Sequence, residues 1–326
     1  MIFSRTPLRI SIGGGGTDLP SYYRHDGGFV ISAAIDKYVY IGVNRTFTDD
    51  YLVKYSSLER VEGIADLNHP IFREVFDLLD IGPSVEVISM ADIPAGTGLG
   101  SSGSFTVGLI KALVAHEHGH IGAGELAELA CHVEIDRLGE PVGKQDQYIA
   151  SFGGIQCFEF NPDDTVKVVP LELPRTTLHD LELNLVLFFT GYSRSASGIL
   201  KDQSVKSTAG DAEMRRNLDE TRELGLHIRQ VLEGGSAEEF GLLMNDHWQR
   251  KRRRSAGMSN PTIDELYELG MNNGAVGGKL VGAGAGGFLM FYAKDAGRLR
   301  AAFREKGLEE VLFRFDHDGS VILSRG

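Results

Sequence analysis

The pattern of apolar and polar positions changes character part-way along the chain. In the first half, short runs rich in β-branched and aromatic residues, LRISI (8–12) and YVYIGVNRTF (38–47), predict strands. PIFREVFDLLDI (70–81) has apolar residues at helical spacing and predicts a short amphipathic helix. SVEVISMADI (84–93) alternates and predicts a strand that delivers the chain into a glycine-rich segment. Phe105–His118 predicts a helix buried over most of its first half. GAGELAELACHVEIDRLG (122–139) predicts another, with acids in its first turns and Gly139 behind it. GGIQCFEFNP (153–162) and VKVVPLEL (166–173) predict a β-hairpin, and LELNLVLFFTG (181–191) a buried strand.

The second half is mainly helical. Helices are predicted over Asp211–Leu232, Ala237–Arg252 and NPTIDELYELGMNNGA (260–275). GGKLVGAGAGGFLMFYA (277–293) predicts two strands joined through glycines, AGRLRAAFREKG (296–307) a helix, and the remainder two short strands. There is no internal repeat. The change of pattern places a domain boundary near Pro174–Leu181, dividing the chain into 1–177 and 178–326. A length of 326 residues suits two packed domains.

Composition adds three points. Glycine occurs 41 times, nearly double its usual share, in discrete clusters that mark tight turns or close approach of backbone to a ligand. The formal net charge of −12 argues against nucleic acid or an anionic membrane surface as partner, though a local basic pocket for a small anion remains compatible with it. The two cysteines, Cys131 and Cys157, are isolated and form neither a metal motif nor a disulfide framework. The N-terminal stretch lacks the apolar core of a signal peptide, and runs such as Leu185–Phe189 are too short to span a bilayer, so a cytoplasmic setting is expected. A homodimer is left open.

The segment PAGTGLGSSGS (94–104) lies between a predicted strand and a predicted helix. It is either a mobile linker or a cradle for an anion. A linker would expose Leu99. A cradle would use the free N–H groups and partial positive charge of the helix N-terminus, with Ser101, Ser102 and Ser104 adding hydroxyls. The Walker lysine is missing, as is the combination of glycine spacing and acidic residue of a dinucleotide fold.

PAGTGLGSSGS resembles the Pro-x-x-x-Gly-Leu-Gly-Ser-Ser-Ala motif of the GHMP kinases, the family of galactokinase, homoserine kinase, mevalonate kinase and phosphomevalonate kinase. TPLRISIGGGGTDLP (6–20) resembles the substrate-binding stretch of the sugar kinases of that family at Pro7, Arg9, Thr17 and Asp18. Gly13–Gly16 stand where galactokinase has a bulkier Gly-Glu-His, a departure that speaks against galactose itself. GGKLVGAGAGGFLMFY resembles the third family motif, a glycine turn that closes over the nucleotide loop. Within the family, RTPLRISIGGGGTDLPSYY, GKQDQYIASFGG, TGYSRSAS and the stretch 260–288 are most similar to the bacterial kinases of D-glycero-D-manno-heptose 7-phosphate.

The resemblance implies an α+β fold of two domains, an N-terminal one like ribosomal protein S5 domain 2 and a ferredoxin-like C-terminal one, with ATP between them. It implies that Pro94, Gly96, Gly98, Leu99, Gly100, Ser101, Ser102 and Gly103 hold ATP, and that Ser102 and Glu134 hold Mg²⁺. It makes Asp146 the base for the accepting hydroxyl, with Arg9 or Lys144 keeping it ionised and Arg9 near the transferred phosphoryl group. Gly15, Gly16, Thr17 and Asp18 would hold the sugar. A phosphate already on the sugar would be gripped by Arg194 or by cations of QRKRRRS (249–255). That basic run also reads as the solvated end of a helix, and spacing does not decide which of its cations face a pocket. The implied partners are ATP and a sugar phosphate. A sensor of the same fold would not need Ser102, Glu134 and Asp146 together.

Overall fold

The computed structural model describes residues 1–191, 197–255, 257–284 and 286–325. The chain folds into two α+β domains. The first is built on strands β1 (Ile2–Gly13) and β2 (Gly28–Arg45), joined through helix α1 (Pro20–Asp26). Then follow β3 (Tyr51–Lys54), β4 (Leu58–Val61), α2 (Pro70–Leu78), β5 (Val85–Ala91), α3 (Ser101–His116), α4 (Ala123–Cys131), α5 (Gln145–Phe152), β6 (Ile155–Phe160) and β7 (Val166–Pro170). β2 is long enough to serve two neighbours: Gly28–Ala33 pairs with β6 and Val39–Arg45 with β5, while β1 runs antiparallel along both halves. The β1 register shifts at Pro7, which has no N–H to give the ladder. β3 and β5 pair in parallel; the other pairs of this sheet are antiparallel.

α3 is apolar nearly all round because it is buried nearly all round. Its Gly108 lets it settle on β1, where a Cβ would stand 2.8 Å from Thr6 Oγ1. Ser4 Oγ donates to the Gly108 carbonyl at 2.8 Å, and Ser104 Oγ to the Pro7 carbonyl at 2.7 Å. Ser104 therefore fastens the helix to the sheet and is not available to a phosphate.

The second domain comprises α6 (Arg175–Asn184), β8 (Leu185–Phe189), α7 (Ser197–Thr208), α8 (Ala212–Glu233), α9 (Ala237–Arg254), α10 (Pro261–Asn272), β9 (Gly277–Leu280), β10 (Phe288–Tyr292) and α11 (Ala296–Glu305). Its sheet has the antiparallel order β8-β10-β9, backed by Trp248, Tyr267, Leu299 and Phe303. The last strand, β11 (Val321–Arg325), returns to pair with β1 in the first sheet. α8 crosses between the domains, and its Gly225 meets Gly14 so closely that a Cβ there would lie 3.1 Å from backbone.

Several elements differ from the sequence expectation. The strand over 38–47 is the second half of β2. Of 181–191 only Leu185–Phe189 is strand, because Leu181 belongs to α6 and Leu183 is solvent-exposed. The helix over 122–139 leaves α geometry after Cys131 and continues as a π-helical stretch, His132–Arg137. α1, α5, α6 and α7 and the short strands β3 and β4 were not anticipated, and one of the two closing strands forms as a single bridge, Ile35 to Phe315. Among the described residues no helix is long and apolar enough to cross a membrane.

Candidate active site

The glycine loop turns on three left-handed residues, Gly96, Gly98 and Gly100, with φ of 77°, 86° and 77°. Gly100 is the N-cap of α3, and no side chain caps that helix, so its first-turn N–H groups face the cavity beside Ser101 and Ser102. A second glycine turn, between β9 and β10, lies against the first. A Cβ on Gly98 would stand 2.8 Å from the Val281 carbonyl, and one on Gly287 2.1 Å from the Thr97 carbonyl. Pro94, Leu99 and Gly103 shape the loop and do not line the cavity. The Pro94 carbonyl accepts from Thr97 Oγ1 at 3.0 Å. Leu99 is fully buried and its carbonyl accepts the Arg9 N–H at 3.0 Å. Gly103 lets Asp146 approach.

Four carboxylates, Asp18, Glu134, Glu140 and Asp146, line the N-terminal side of a cavity of about 380 Å³. Asp146, in the first turn of α5, forms a bidentate pair with Arg9: Nε to Oδ1 at 2.8 Å and Nη2 to Oδ2 at 2.9 Å. Arg9 Nη1 donates to the Gly98 carbonyl at 2.5 Å, which ties the pair to the glycine loop. Lys144, the other expected cation, turns away to Glu128 at 3.0 Å and to the Asp164 carbonyl at 2.9 Å. Asp18 accepts from the N–H groups of Gly16 at 3.0 Å and Gln145 at 3.2 Å. Burial, and secondly Asp146, raise its pKa above the usual carboxylate value. Gly15 and Gly16 line the cavity beside it. Thr17 does not. It is fully buried, its hydroxyl 2.9 Å from the carbonyls of Gly14 and Phe29 and accepting the Phe29 N–H at 3.0 Å, so it pins the loop and makes no contact with the cavity.

Glu134 sits in the π-helical stretch, a local widening common at functional sites. Ser102 Oγ donates to it at 2.6 Å and Gln147 Nε2 at 3.0 Å. Burial raises its pKa, opposed by these hydrogen bonds and helped by Asp146. Among the described residues no three His, Cys, Asp or Glu converge as a metal cage. That fits Mg²⁺, which takes one or two carboxylates together with substrate phosphates. Among the described residues no cation pairs with Glu134, and its contact with Ser102 in the first turn of the uncapped helix gives two oxygens that fit such an ion.

The opposite wall is cationic. Along α9, Arg250 pairs outward with Glu220 and Arg252 with Asp264 at 3.0 Å. Lys251 and Arg254, three residues apart, face inward and are buried, as is Lys279 of β9. The basic run had suggested Lys251 and Arg254 without distinguishing them, and Lys279 had not been singled out. On α9, Phe240, Met244 and Trp248 mark a buried stripe that continues through Lys251 and Arg254, but spacing alone does not say that the end of this stripe enters a cavity. Arg194 lies outside the described residues.

Comparison with known proteins agrees with this geometry. The profile of the GHMP kinases N terminal domain matches residues 69–154, and that of GHMP kinases C terminal matches 228–308. D-glycero-alpha-D-manno-heptose 7-phosphate kinase of Campylobacter jejuni is 31% identical over 98% of this chain and 97% of its own. The crystal structure of a D-glycero-D-manno-heptose 1-phosphate kinase from Bacteroides thetaiotaomicron superposes with a TM-score of 0.79 and 25% identity over the whole of both chains. Lactococcus lactis galactokinase complexed with galactose shares the fold, with a TM-score of 0.77 and 18% identity over 99% of this chain and 95% of its own. The glycine loop at an uncapped helix, the carboxylates around it and these full-length matches together show that the chain belongs to the GHMP kinase family, whose fold carries ATP-dependent phosphoryl transfer to small molecules.

Proposed function

We propose that this kinase transfers the γ-phosphoryl group of ATP to the anomeric hydroxyl of D-glycero-D-manno-heptose 7-phosphate, giving the 1,7-bisphosphate. The observation that carries the reading is the Arg9–Asp146 pair, fixed between the glycine loop and Asp18. It sets a carboxylate where an acceptor hydroxyl would meet a phosphoryl group on the loop. The heptose phosphate as acceptor is supported by the 31% identical relative and by the cationic wall.

ATP lies along Gly96–Ser102, its phosphates facing the N–H groups of the α3 terminus. Ser102 and Glu134 would hold Mg²⁺, which when bound would neutralise charge on the ATP phosphates. Asp18 accepts hydrogen bonds from ring hydroxyls. Asp146 accepts the hydrogen bond of the anomeric hydroxyl and aims its oxygen at the γ-phosphorus. As the new O–P bond forms and the bond to the β,γ-bridging oxygen breaks, the hydroxyl proton passes to Asp146 and ADP leaves. The bidentate contact with Arg9 fixes the direction of the Asp146 carboxylate, which suits a loose transition state that depends on positioning more than on early proton removal.

The test is sugar-dependent ADP release with Mg-ATP, comparing D-glycero-D-manno-heptose 7-phosphate with mannose 6-phosphate, unphosphorylated heptose, galactose and fucose. The heptose phosphate should give the highest kcat/KM. Preference for an unphosphorylated sugar would overturn the assigned acceptor, and no turnover with any of them would overturn the sugar kinase reading.

A further inference from the structure

Among the described residues the cationic wall is not closed by an ion pair. Lys251, Arg254 and Lys279 are 8%, 6% and 2% exposed, yet among the described residues no carboxylate forms an ion pair with any of them. Their partners are neutral. Lys251 Nζ donates to the carbonyls of Leu280, at 3.0 Å, and Gly282. Lys279 Nζ donates to the Ile12 carbonyl at 2.8 Å and lies 3.1 Å from His247 Nδ1. Arg254 donates from Nη1 to the Gly15 carbonyl at 2.9 Å, from Nε to Asn217 at 2.9 Å and from Nη2 to Thr221 at 2.8 Å. Burial first, then Lys279, Arg254 and Lys251, hold His247 far below its ordinary pKa, so its neutral ring can accept from Lys279.

A charged lysine has three N–H donors and a guanidinium five. The contacts above leave one donor on each lysine and two on Arg254, and all three residues line the cavity. Buried cations are ordinarily paired. Asp18 attracts Arg254 without touching it, and the Arg9 charge is met by Asp146.

We propose that Lys251, Arg254 and Lys279 form a socket for a phosphoryl group already carried by the acceptor, and that this socket sets the preference for a phosphorylated sugar. The inference deepens the proposed function and rests on it for the identity of the sugar. Arg254 reaches the Gly15 carbonyl, in the loop that carries Asp18, which puts its end of the socket on the acceptor side of the cavity, while Lys251 reaches Gly282, which lies against Gly98 of the glycine loop. Burial, with Arg254 and then Arg9 adding repulsion, pushes Lys251 down to about 7, and burial pushes Arg254 down to about 10. A dianion among them would reverse both shifts.

The experiment measures kcat/KM for D-glycero-D-manno-heptose 7-phosphate and for unphosphorylated heptose in wild type, Lys279→Met and Arg254→Gln. Lys279→Met keeps the side-chain volume and removes a buried charge, so it should fold. The ratio of the two kcat/KM values should fall by about 100-fold, the scale of a lost charged hydrogen bond, while KM for ATP holds. Equal losses on both sugars, or a loss expressed only in KM for ATP, would overturn the socket. If wild type turns over neither sugar, the proposed function fails, and a second readout judges the socket separately. With ADP and Mg²⁺ present, inorganic phosphate at constant ionic strength should raise the melting temperature of wild type but not of either variant. Equal stabilisation of all three proteins, or of none, would overturn it.

Discussion

The two walls of the cavity are built from opposite charges and answer to different physics. The N-terminal wall carries Asp18, Glu134 and Asp146, held by backbone N–H groups, a serine, a glutamine and Arg9. The C-terminal wall carries Lys251, Arg254 and Lys279, held by carbonyls and neutral side chains. Burial raises the pKa of Asp18 and Glu134 and lowers that of the three cations, so in the empty protein each wall is at an energetic disadvantage. Among the described residues no ion pair joins the two walls; Arg9 pairs with Asp146 within the first domain. Charge kept apart in this way leaves the carboxylate wall with affinity for a cation and sugar hydroxyls, and the cationic wall with affinity for an anion.

The largest effect should come from Asp146→Asn. Turnover should fall by about 10³-fold, within the range for a positioned acid–base group, with nucleotide affinity retained in a fluorescent ADP competition assay. Undiminished turnover would remove Asp146 from the mechanism. Glu134→Gln should follow, lowering kcat by about 100-fold and raising the Mg²⁺ concentration needed for half-maximal rate. The same variant should melt about 2 °C higher than wild type, because it no longer buries a carboxylate whose folded pKa is raised. A lower melting temperature would break the claim that the carboxylate wall is strained when empty.

The cationic wall gives a pH test. Lys251 titrates near 7 in the empty protein, far below an unfolded lysine, so between pH 7 and 8 the folded state loses a proton that the unfolded state keeps. Its contribution to stability therefore rises with pH across that window, while affinity for a phosphorylated acceptor falls, by up to about tenfold per unit above 7. Calorimetric titration of the acceptor from pH 6.5 to 8.5 should show this slope in wild type and a shallower one in Lys251→Met, where the lowered Lys279 remains. Gly282→Ala probes the seam between the glycine turns. Its φ is +79°, and a Cβ would sit 2.6 Å from Gly98. A loss of about 2 kcal/mol by chemical denaturation is expected. The smallest effect belongs to Arg250→Ala. Its ion pair with Glu220 is solvated, so activity should stay within about twofold, in contrast to Arg254 on the same helix.

Much of the carboxylate wall was legible in the chain. Asp18 and Asp146 lie in short motifs that resemble those of the family, Glu134 was reached through that resemblance, and the structure brings all three to one cavity beside the glycine loop. Thr17 and Ser104 were legible as polar residues within those motifs, but their hydroxyls serve the backbone and not a ligand. A side chain of this kind points wherever an unpaired carbonyl lies, and that depends on packing. α5 was missed because an eight-residue helix ending at Gly153 has too few turns to display a period.

The sequence by itself determined the two-domain α+β class and the glycine loop at the head of a helix, because each depends on residues close together in the chain, and resemblance to the family picked out Asp18, Glu134 and Asp146. Tertiary structure alone decided which cations face the cavity. Lys251, Arg254 and Lys279 come from a helix and a strand, and their direction is set by how α9 packs on β9 and how both meet the loop at Gly15. An arginine run looks alike on either face of a helix. Only burial separates Arg254 from Arg250, and burial is a property of the assembled fold.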